Sequence, residues 1–390
     1  MSFNFYMPTR ILSGKGSLDK LKKQRMPGKK ALIVISSGKS TRENGYLERV
    51  EAALKDAGAE SVVFDKILAN PIIANVMDGA KAACDNGCDF VVGLGGGSSI
   101  DAAKAIAAMA TNDGHYWDYV YGGTGGSQRL KIDPLPLIAI PTTAGTGSES
   151  DNWAVITNED TNEKIGFGND KTFPVIAIVD ADLMLTVPPK FTAFQGFDAL
   201  FHSTEGYIAK RANLMSDMYA LKAIEAVGRN LAAAYANGAD EKAREQVAFG
   251  STLSGVVMCV GSTTSEHALE HPMSGHHPDL PHGAGLIMIS QAYYTHFAKN
   301  APHLAERFID MAKAMGKADA KDPMDFVTAL VDLQKACDVH ELKMSDYGIT
   351  LKELPAFVTD AKATMMGLFK ADSLELSDED CLAIYRDSYR

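Results

Sequence analysis

The chain is poor in cysteine, has no surplus of positive charge and lacks any long apolar run, and each shortage excludes something. The five cysteines, Cys84, Cys88, Cys259, Cys337 and Cys381, are odd in number and scattered. That fits reduced thiols in the cytoplasm and not a disulfide framework. Cys84 and Cys88 sit four apart in an expected helix and read as two small buried residues on one face, not as a metal pair. Lys plus Arg number 38 against 49 Asp plus Glu, a net charge of -11. Nucleic-acid binders carry basic patches and a high pI, so no nucleic-acid partner is expected. No stretch approaches the roughly 18 apolar residues of a membrane span, so no membrane partner is expected either. The opening Met-Ser-Phe-Asn-Phe-Tyr-Met-Pro-Thr-Arg has no basic stretch leading into an apolar core, and no signal peptide is expected.

What is present is an ordinary globular composition, 46% hydrophobic and 22% charged over 390 residues. That length suits about two domains. The first half alternates short apolar runs with helical stretches. Strands are expected at 30–35, 61–64, 90–94, 135–140 and 175–179, with helices at 46–57, 73–84 and 98–109. Continuous apolar strands between amphipathic helices predict a parallel sheet covered on both faces. Pro188-Pro189 then punctuates the chain, and long helical periodicities take over: 191–209, 216–235, 241–260, 284–298, 301–315, 323–336 and 351–366. The expected division is an α/β domain over 1–187 and an all-helical domain over 188–390.

Two loops in the first half are rich in small residues. Gly93-Leu-Gly-Gly-Gly-Ser-Ser-Ile-Asp101 follows a strand and opens a helix, where glycines let a phosphate approach the backbone and the helix N-terminus favours its charge. Ser98 stands where the dinucleotide fingerprint has its third Gly, and Gly38-Lys39-Ser40 lacks the upstream Gly of a phosphate loop. The bland alternative for the run is a tight turn. Pro141-Thr-Thr-Ala-Gly-Thr-Gly-Ser-Glu149 is the second loop, and its alternative is a hydroxyl-rich turn with no ligand. Both loops lie at the C-terminal ends of strands, where an open α/β sheet binds ligands.

Six of the ten histidines fall between positions 202 and 282. Asp198 and His202 are four apart, as are His267 and His271, so each pair shares a helix face. His282 follows in Leu280-Pro-His-Gly283. One carboxylate and several imidazoles suit Fe(II), Zn(II) or a similar divalent ion. His276 and His277 read as loop residues. The stretch His267-Ala-Leu-Glu-His271 also matches a metallopeptidase pattern. Pro272 speaks against that reading, because it should end the helix at His271, and the nucleotide-type loops would go unexplained.

These motifs, in this order, resemble those of the iron-containing (group III) alcohol dehydrogenases. The similarity runs from Phe-Tyr-Met-Pro-Thr-Arg near the start to at least residue 300. The resemblance implies a Rossmann-like dinucleotide domain and a helical metal domain, with the active site in the cleft between them. It implies that Asp198, His202, His267 and His282 hold the metal, with His271 close to the nicotinamide. Gly95, Gly96, Gly97, Ser98 and Asp101 would surround the pyrophosphate. Thr142, Thr143 and Thr146 would line the cofactor cleft, Leu183 would pack on it, and Lys164 would stand near the substrate end.

The implied reaction is hydride transfer between a primary alcohol or its aldehyde and NAD(P)(H), assisted by Fe(II), with Zn(II) or Mn(II) able to take the same ligands. His271 and Lys164 are the expected catalytic groups, His271 as proton relay. Ser150-Asp151-Asn152-Trp153 departs from the Val-Thr that many members carry after Ser-Glu. The segment Ser36-Ser-Gly-Lys-Ser-Thr-Arg42 has no carboxylate of the kind that accepts from a ribose 2′-hydroxyl. Gly38, Lys39 and Ser40 are therefore expected to receive a 2′-phosphate, with NADP(H) favoured over NAD(H). The scattered cysteines also leave no set for a Cys-ligated zinc. A homodimer or higher homo-oligomer is expected. Polyol dehydrogenases and dehydroquinate-synthase-like enzymes share the implied fold and are the alternatives of different chemistry.

Overall fold

A computed structural model describes residues 3–390. They form two compact units, Tyr6–Thr186 and Val187–Arg390, the second also taking residues 3–5. Phe5 makes a ring contact there with Tyr219.

The first unit is α/β. Its strands are β1 (Arg10–Ser13), β2 (Lys30–Ser36), β3 (Glu60–Ile67), β4 (Phe90–Gly95), β5 (Leu137–Pro141), β6 (Ala154–Asn158), β7 (Glu163–Phe167) and β8 (Ile176–Val179). Its helices are the short α1 (Ser40–Glu43), then α2 (Tyr46–Asp56), α3 (Ile73–Asp85) and α4 (Gly97–Met109). A 6-stranded sheet runs β1-β8-β5-β4-β2-β3, and every pairing in it is parallel. Every residue of β4, β5 and β8 is buried, which is why these strands read as unbroken apolar runs. On α2, Tyr46, Leu47, Val50, Ala53 and Leu54 form the buried face and join the core with Ile33, Val92 and Ile178. From β2 the chain steps outward to β3 and then returns past β2 to β4. This is the switch point of the sheet, where crevices open beyond the strands' C-terminal ends.

Several elements differ from expectation. β1 pairs with β8, and β6 and β7 form a separate antiparallel hairpin. The hairpin turns at Asn162, with φ 57. Cys84 and Cys88 do not share a helix face. Helix α3 ends at Asp85, Gly87 turns the chain with φ 62, and Cys84 is exposed while Cys88 is buried beyond the helix.

The second unit is helical: α5 (Pro189–Ile208), α6 (Leu214–Ala236), α7 (Glu241–Val260), α8 (Ser265–His276), α9 (His282–Asn300), α10 (Ala305–Ala314), α11 (Met324–Ala336), α12 (Leu354–Ala371) and α13 (Asp378–Ser388). Helix α8 runs straight through Pro272, contrary to expectation, and His276 is its last residue rather than part of a loop. An interior proline costs a helix about 3 kcal/mol. Burial of Leu269 and Met273, both fully enclosed, contributes about 1.5–3 kcal/mol each and offsets it. Packing on α9 and α12 supplies that enclosure. No single helix among the described residues is long and apolar enough to cross a membrane; α7 and α8 pass by length and composition only as a pair bent by 108°.

Candidate active site

Three helices of the second unit deliver the metal-type side chains. Pro189 occupies the first turn of α5, where its missing N–H costs nothing. Further along, Asp198 and His202 lie one turn apart and both are buried. Helix α8 contributes His267 and, one turn on, His271, both buried. His282 opens α9 directly after Pro281.

The three helices converge on the Asp198 carboxylate. His267 Nε2 lies 3.4 Å from Asp198 Oδ1 and His282 Nε2 lies 3.7 Å from the same oxygen. The ligand atoms of Asp198, His267 and His282 all fall within 4.8 Å of one another. His202 stands beside this trio, its Nδ1 3.6 Å from Asp198 Oδ1 and its ring stacked on His267 at 4.3 Å. The His271 ring centre is 5.5 Å from that of His282. Glu270, His271 and His282 form a second close set that shares His282. His276 and His277 turn away, to Asp360 and Glu353.

The charges are mutually supporting. Burial alone would raise the Asp198 pKa, but His202, His267 and His282 outweigh it and hold the carboxyl well below its usual range. Burial would lower His267, but Glu205 and Asp198 outweigh it and raise the imidazole to about 10. A single deeply buried carboxylate facing imidazole nitrogens is a place built for positive charge.

Two further carboxylates join the site: Glu205 was not singled out from the sequence, and Glu270 was noted only as the Glu of the metallopeptidase pattern. Glu205 is fully buried and accepts from His267 Nδ1; Glu270 is fully buried and accepts from His282 Nδ1. A signal existed: Glu205 lies three residues after His202 and Glu270 three after His267, so each shares a helix face with a ligand candidate. A glutamate on a helix otherwise reads as solvated.

The small-residue loops meet in the first unit. Thr142 N donates to Gly95 O at 2.9 Å, joining the end of β5 to the end of β4. A Cβ on Gly97 would lie 2.4 Å from Thr146 Cγ2, and one on Gly96 would lie 3.3 Å from Thr143, so the glycines let the two loops touch. The N-terminus of α4 thus lies at the switch point with the Thr143 and Thr146 side chains packed directly on Gly96 and Gly97. The Ser98 hydroxyl donates to Ala69 O.

Two residues expected around the cofactor are enclosed within the first unit. Asp101 is buried; it accepts from Ser148 Oγ at 2.6 Å and from Val155 N at 2.9 Å, so it anchors the Pro-Thr-Thr loop and the hairpin from within. Burial pushes its carboxyl up to about 6. Leu183 is fully enclosed in the core with Leu18 and Leu21, because the turn after Asp180 directs it inward.

Lys164 is buried on β7, its Nζ 3.5 Å from Asn70 Oδ1. The loop after β2 lines a cavity of about 330 Å³ formed by Ser36, Ser37, Gly38, Lys39, Arg42, Glu43 and Asp65. Two carboxylates, Glu43 and Asp65, thus line this cavity from outside segment 36–42. Asp65 comes from β3 and pairs with Arg42 at 2.6 Å.

Comparison with known proteins matches residues 8–181 to the iron-containing alcohol dehydrogenases and residues 192–389 to the C-terminal domain of the same family. The chain belongs to the iron-containing alcohol dehydrogenase family. It is 32% identical over 388 residues to alcohol dehydrogenase 4 of Saccharomyces cerevisiae (strain YJM789), covering 99% of this chain and 98% of that one. It is 36% identical to a 1,3-propanediol dehydrogenase of Citrobacter freundii, covering 83% of this chain and 80% of that one. Among solved structures, the archaeal halo-thermophilic Red Sea brine pool alcohol dehydrogenase ADH/D1 superposes with a TM-score of 0.94 at 35% identity, covering 100% of this chain and 99% of that one. The protein is an oxidoreductase of this iron-dependent class. Its donor set of one carboxylate oxygen and imidazole nitrogens fits Fe(II). The glycine-rich N-terminus of α4 fits the pyrophosphate of a nicotinamide dinucleotide.

Proposed function

We propose that this chain interconverts a primary alcohol and its aldehyde with a nicotinamide cofactor, and that Asp198, His202, His267 and His282 hold the iron that assists it. The observation that carries the reading is the convergence of Asp198, His267 and His282 within 4.8 Å in a buried setting. When bound, the ion supplies a Lewis acid for the substrate oxygen and the nicotinamide supplies a hydride carrier.

The residues do the rest. Asp198 brings the fixed negative charge, and its low pKa keeps it ionised across the working range. His267 and His282 present Nε2 toward it. His271, buried one turn beyond His267, is placed to pass a proton to and from the substrate hydroxyl. Lys164 is assigned to orienting the substrate's polar end. Gly95, Gly96 and Gly97 present their backbone to the pyrophosphate and let the two loops close against each other, Ser98, Thr142, Thr143 and Thr146 wall it, and the opening turn of α4 opposes its charge.

The cavity after β2 takes the adenosine ribose. Gly38, Lys39 and Ser40 favour a 2′-phosphate, whereas Asp65 and Glu43 oppose it. The lining is close to neutral, and the enzyme accepts both NADP(H) and NAD(H), with Lys39 giving NADP(H) the advantage. We place the protein in the cytoplasm, in keeping with its five free thiols, and as a homodimer or higher homo-oligomer, which light scattering would settle. Nicotinamide absorbance followed with a panel of primary alcohols and aldehydes tests the activity. Turnover that depends on added cofactor and on metal supports it; cofactor binding without turnover would refute it.

A further inference from the structure

The geometry points to Glu205 and Glu270 as a matched pair of positioning residues: each locks one metal-binding imidazole in the tautomer that presents Nε2 to the ion. The inference rests on the proposed ligand set and adds to it the groups that orient two of its members.

Consider Glu205. Its Oε1 accepts from Thr264 N at 2.9 Å, from Thr264 Oγ1 at 3.0 Å and from His267 N at 3.2 Å. Its Oε2 faces His267 Nδ1. A carboxylate held by backbone and hydroxyl donors is an acceptor only, so Nδ1 must carry the proton and donate. In the neutral imidazole that a metal takes, Nε2 is then the nitrogen with the lone pair, and it is the one on the side of Asp198 Oδ1. The three donors on Oε1 fix the carboxylate and hence the ring plane of His267.

Glu270 repeats the arrangement from α8 toward α9. Its Oε2 faces His282 Nδ1, and His282 Nε2 points at the same Asp198 oxygen. Glu270 is seated against the backbone of α9 at Gly285, where an added Cβ would lie 2.7 Å from Oε1 and 2.8 Å from Cγ. Only glycine at 285 leaves space for that carboxylate. Both arms therefore read carboxylate, Nδ1–H, imidazole, Nε2, converging on one point. Such outer partners fix ligand orientation and raise ligand basicity, and losing one typically costs about 10–100-fold in metal affinity.

The test measures Co(II) affinity by chelator competition on the full-length protein, with the visible spectrum of the Co(II) form as a second readout. Glu205→Gln and Glu270→Gln each keep the side chain's shape. Each is expected to weaken Co(II) binding by about 10–100-fold and to change the ligand-field bands, while circular dichroism stays as in the wild type. Gly285→Ala keeps the Glu270 carboxylate but displaces it, and is expected to weaken binding in the same direction. Unchanged affinity and spectrum in the Gln variants would overturn the inference while leaving the ligand set intact. Failure of the wild type to bind Co(II), or wild-type affinity in His267→Ala, would instead overturn the ligand set itself.

Discussion

Lys104 and Asp151 form a buried ion pair, Nζ to Oδ1 at 2.7 Å, with side-chain exposures of 0% and 3%. The ammonium uses all three of its protons: Asp151, Ser148 Oγ at 2.8 Å and the Trp153 carbonyl at 2.7 Å. Lys104 rises from α4 just behind the Gly-rich turn, and Asp151 closes the Pro-Thr-Thr loop. The departure from Val-Thr at 150–151 therefore installs a partner for Lys104 and ties the two loops together. Lys104→Met leaves an unpaired buried carboxylate, and about 3–5 kcal/mol of stability should be lost in denaturant titration. The double variant Lys104→Met/Asp151→Leu should recover part of that loss, because neither charge is then stranded.

Gly97 and Thr146 test the contact between the same loops. Gly97→Ala places a methyl 2.4 Å from Thr146 Cγ2 and 3.0 Å from its Cβ, and a β-branched side chain has little room to yield. The substitution should destabilise the first unit by about 1–3 kcal/mol and raise the KM for the cofactor more than that for the alcohol. An unchanged cofactor KM would show that no phosphate approaches there.

The sheet, its switch point and both loops were legible because β4, β5 and β8 are buried on every residue and so read as unbroken apolar runs. The β6–β7 hairpin was not, since its strands are five residues each and separated by a polar turn that resembles a plain loop. Pro272 misled because local preference against helix is overridden when both flanks are enclosed. The ligand candidates stood out as histidines at helical spacing. Glu205 did not, and Glu270 did only within the metallopeptidase pattern, because nothing in a glutamate's identity reveals that three-dimensional packing will bury it. Asp65 escaped for a related reason: it reaches the cavity after β2 from a neighbouring strand, and register is not visible in a local window.

Cofactor choice should follow the charges around the cavity after β2. Asp65→Asn removes an anion and the partner of Arg42, so binding of NADP+ and of 2′,5′-ADP should tighten roughly tenfold, equivalent to about 1.4 kcal/mol. Lys39→Ala should weaken both and leave NAD+ unaffected. Fluorescence titration with each nucleotide reads this without turnover; a parallel change in NAD+ affinity would contradict the assignment.

Asp372 gives the helical unit a pH signature. Burial pushes its carboxyl from 3.8 up to about 7, partly opposed by hydrogen bonding from Ser265. Between those values the folded chain binds more protons than the unfolded one, so this group's contribution to stability is full below about pH 4 and is lost as pH rises through 7. Asp372→Asn keeps an oxygen for Ser265 N and the Tyr293 hydroxyl but cannot ionise. Its Tm relative to the wild type should therefore climb between about pH 5 and pH 8. A constant Tm difference across that range would show that Asp372 does not titrate there.

The central claim is that Asp198, His202, His267 and His282 hold iron, and the iron content of anaerobically purified protein tests it most directly. Wild-type protein should carry stoichiometric iron, and Asp198→Ala and His282→Ala, confirmed as folded by circular dichroism, should carry almost none and show no turnover. Folded Asp198→Ala or His282→Ala protein that retains wild-type iron would contradict the account.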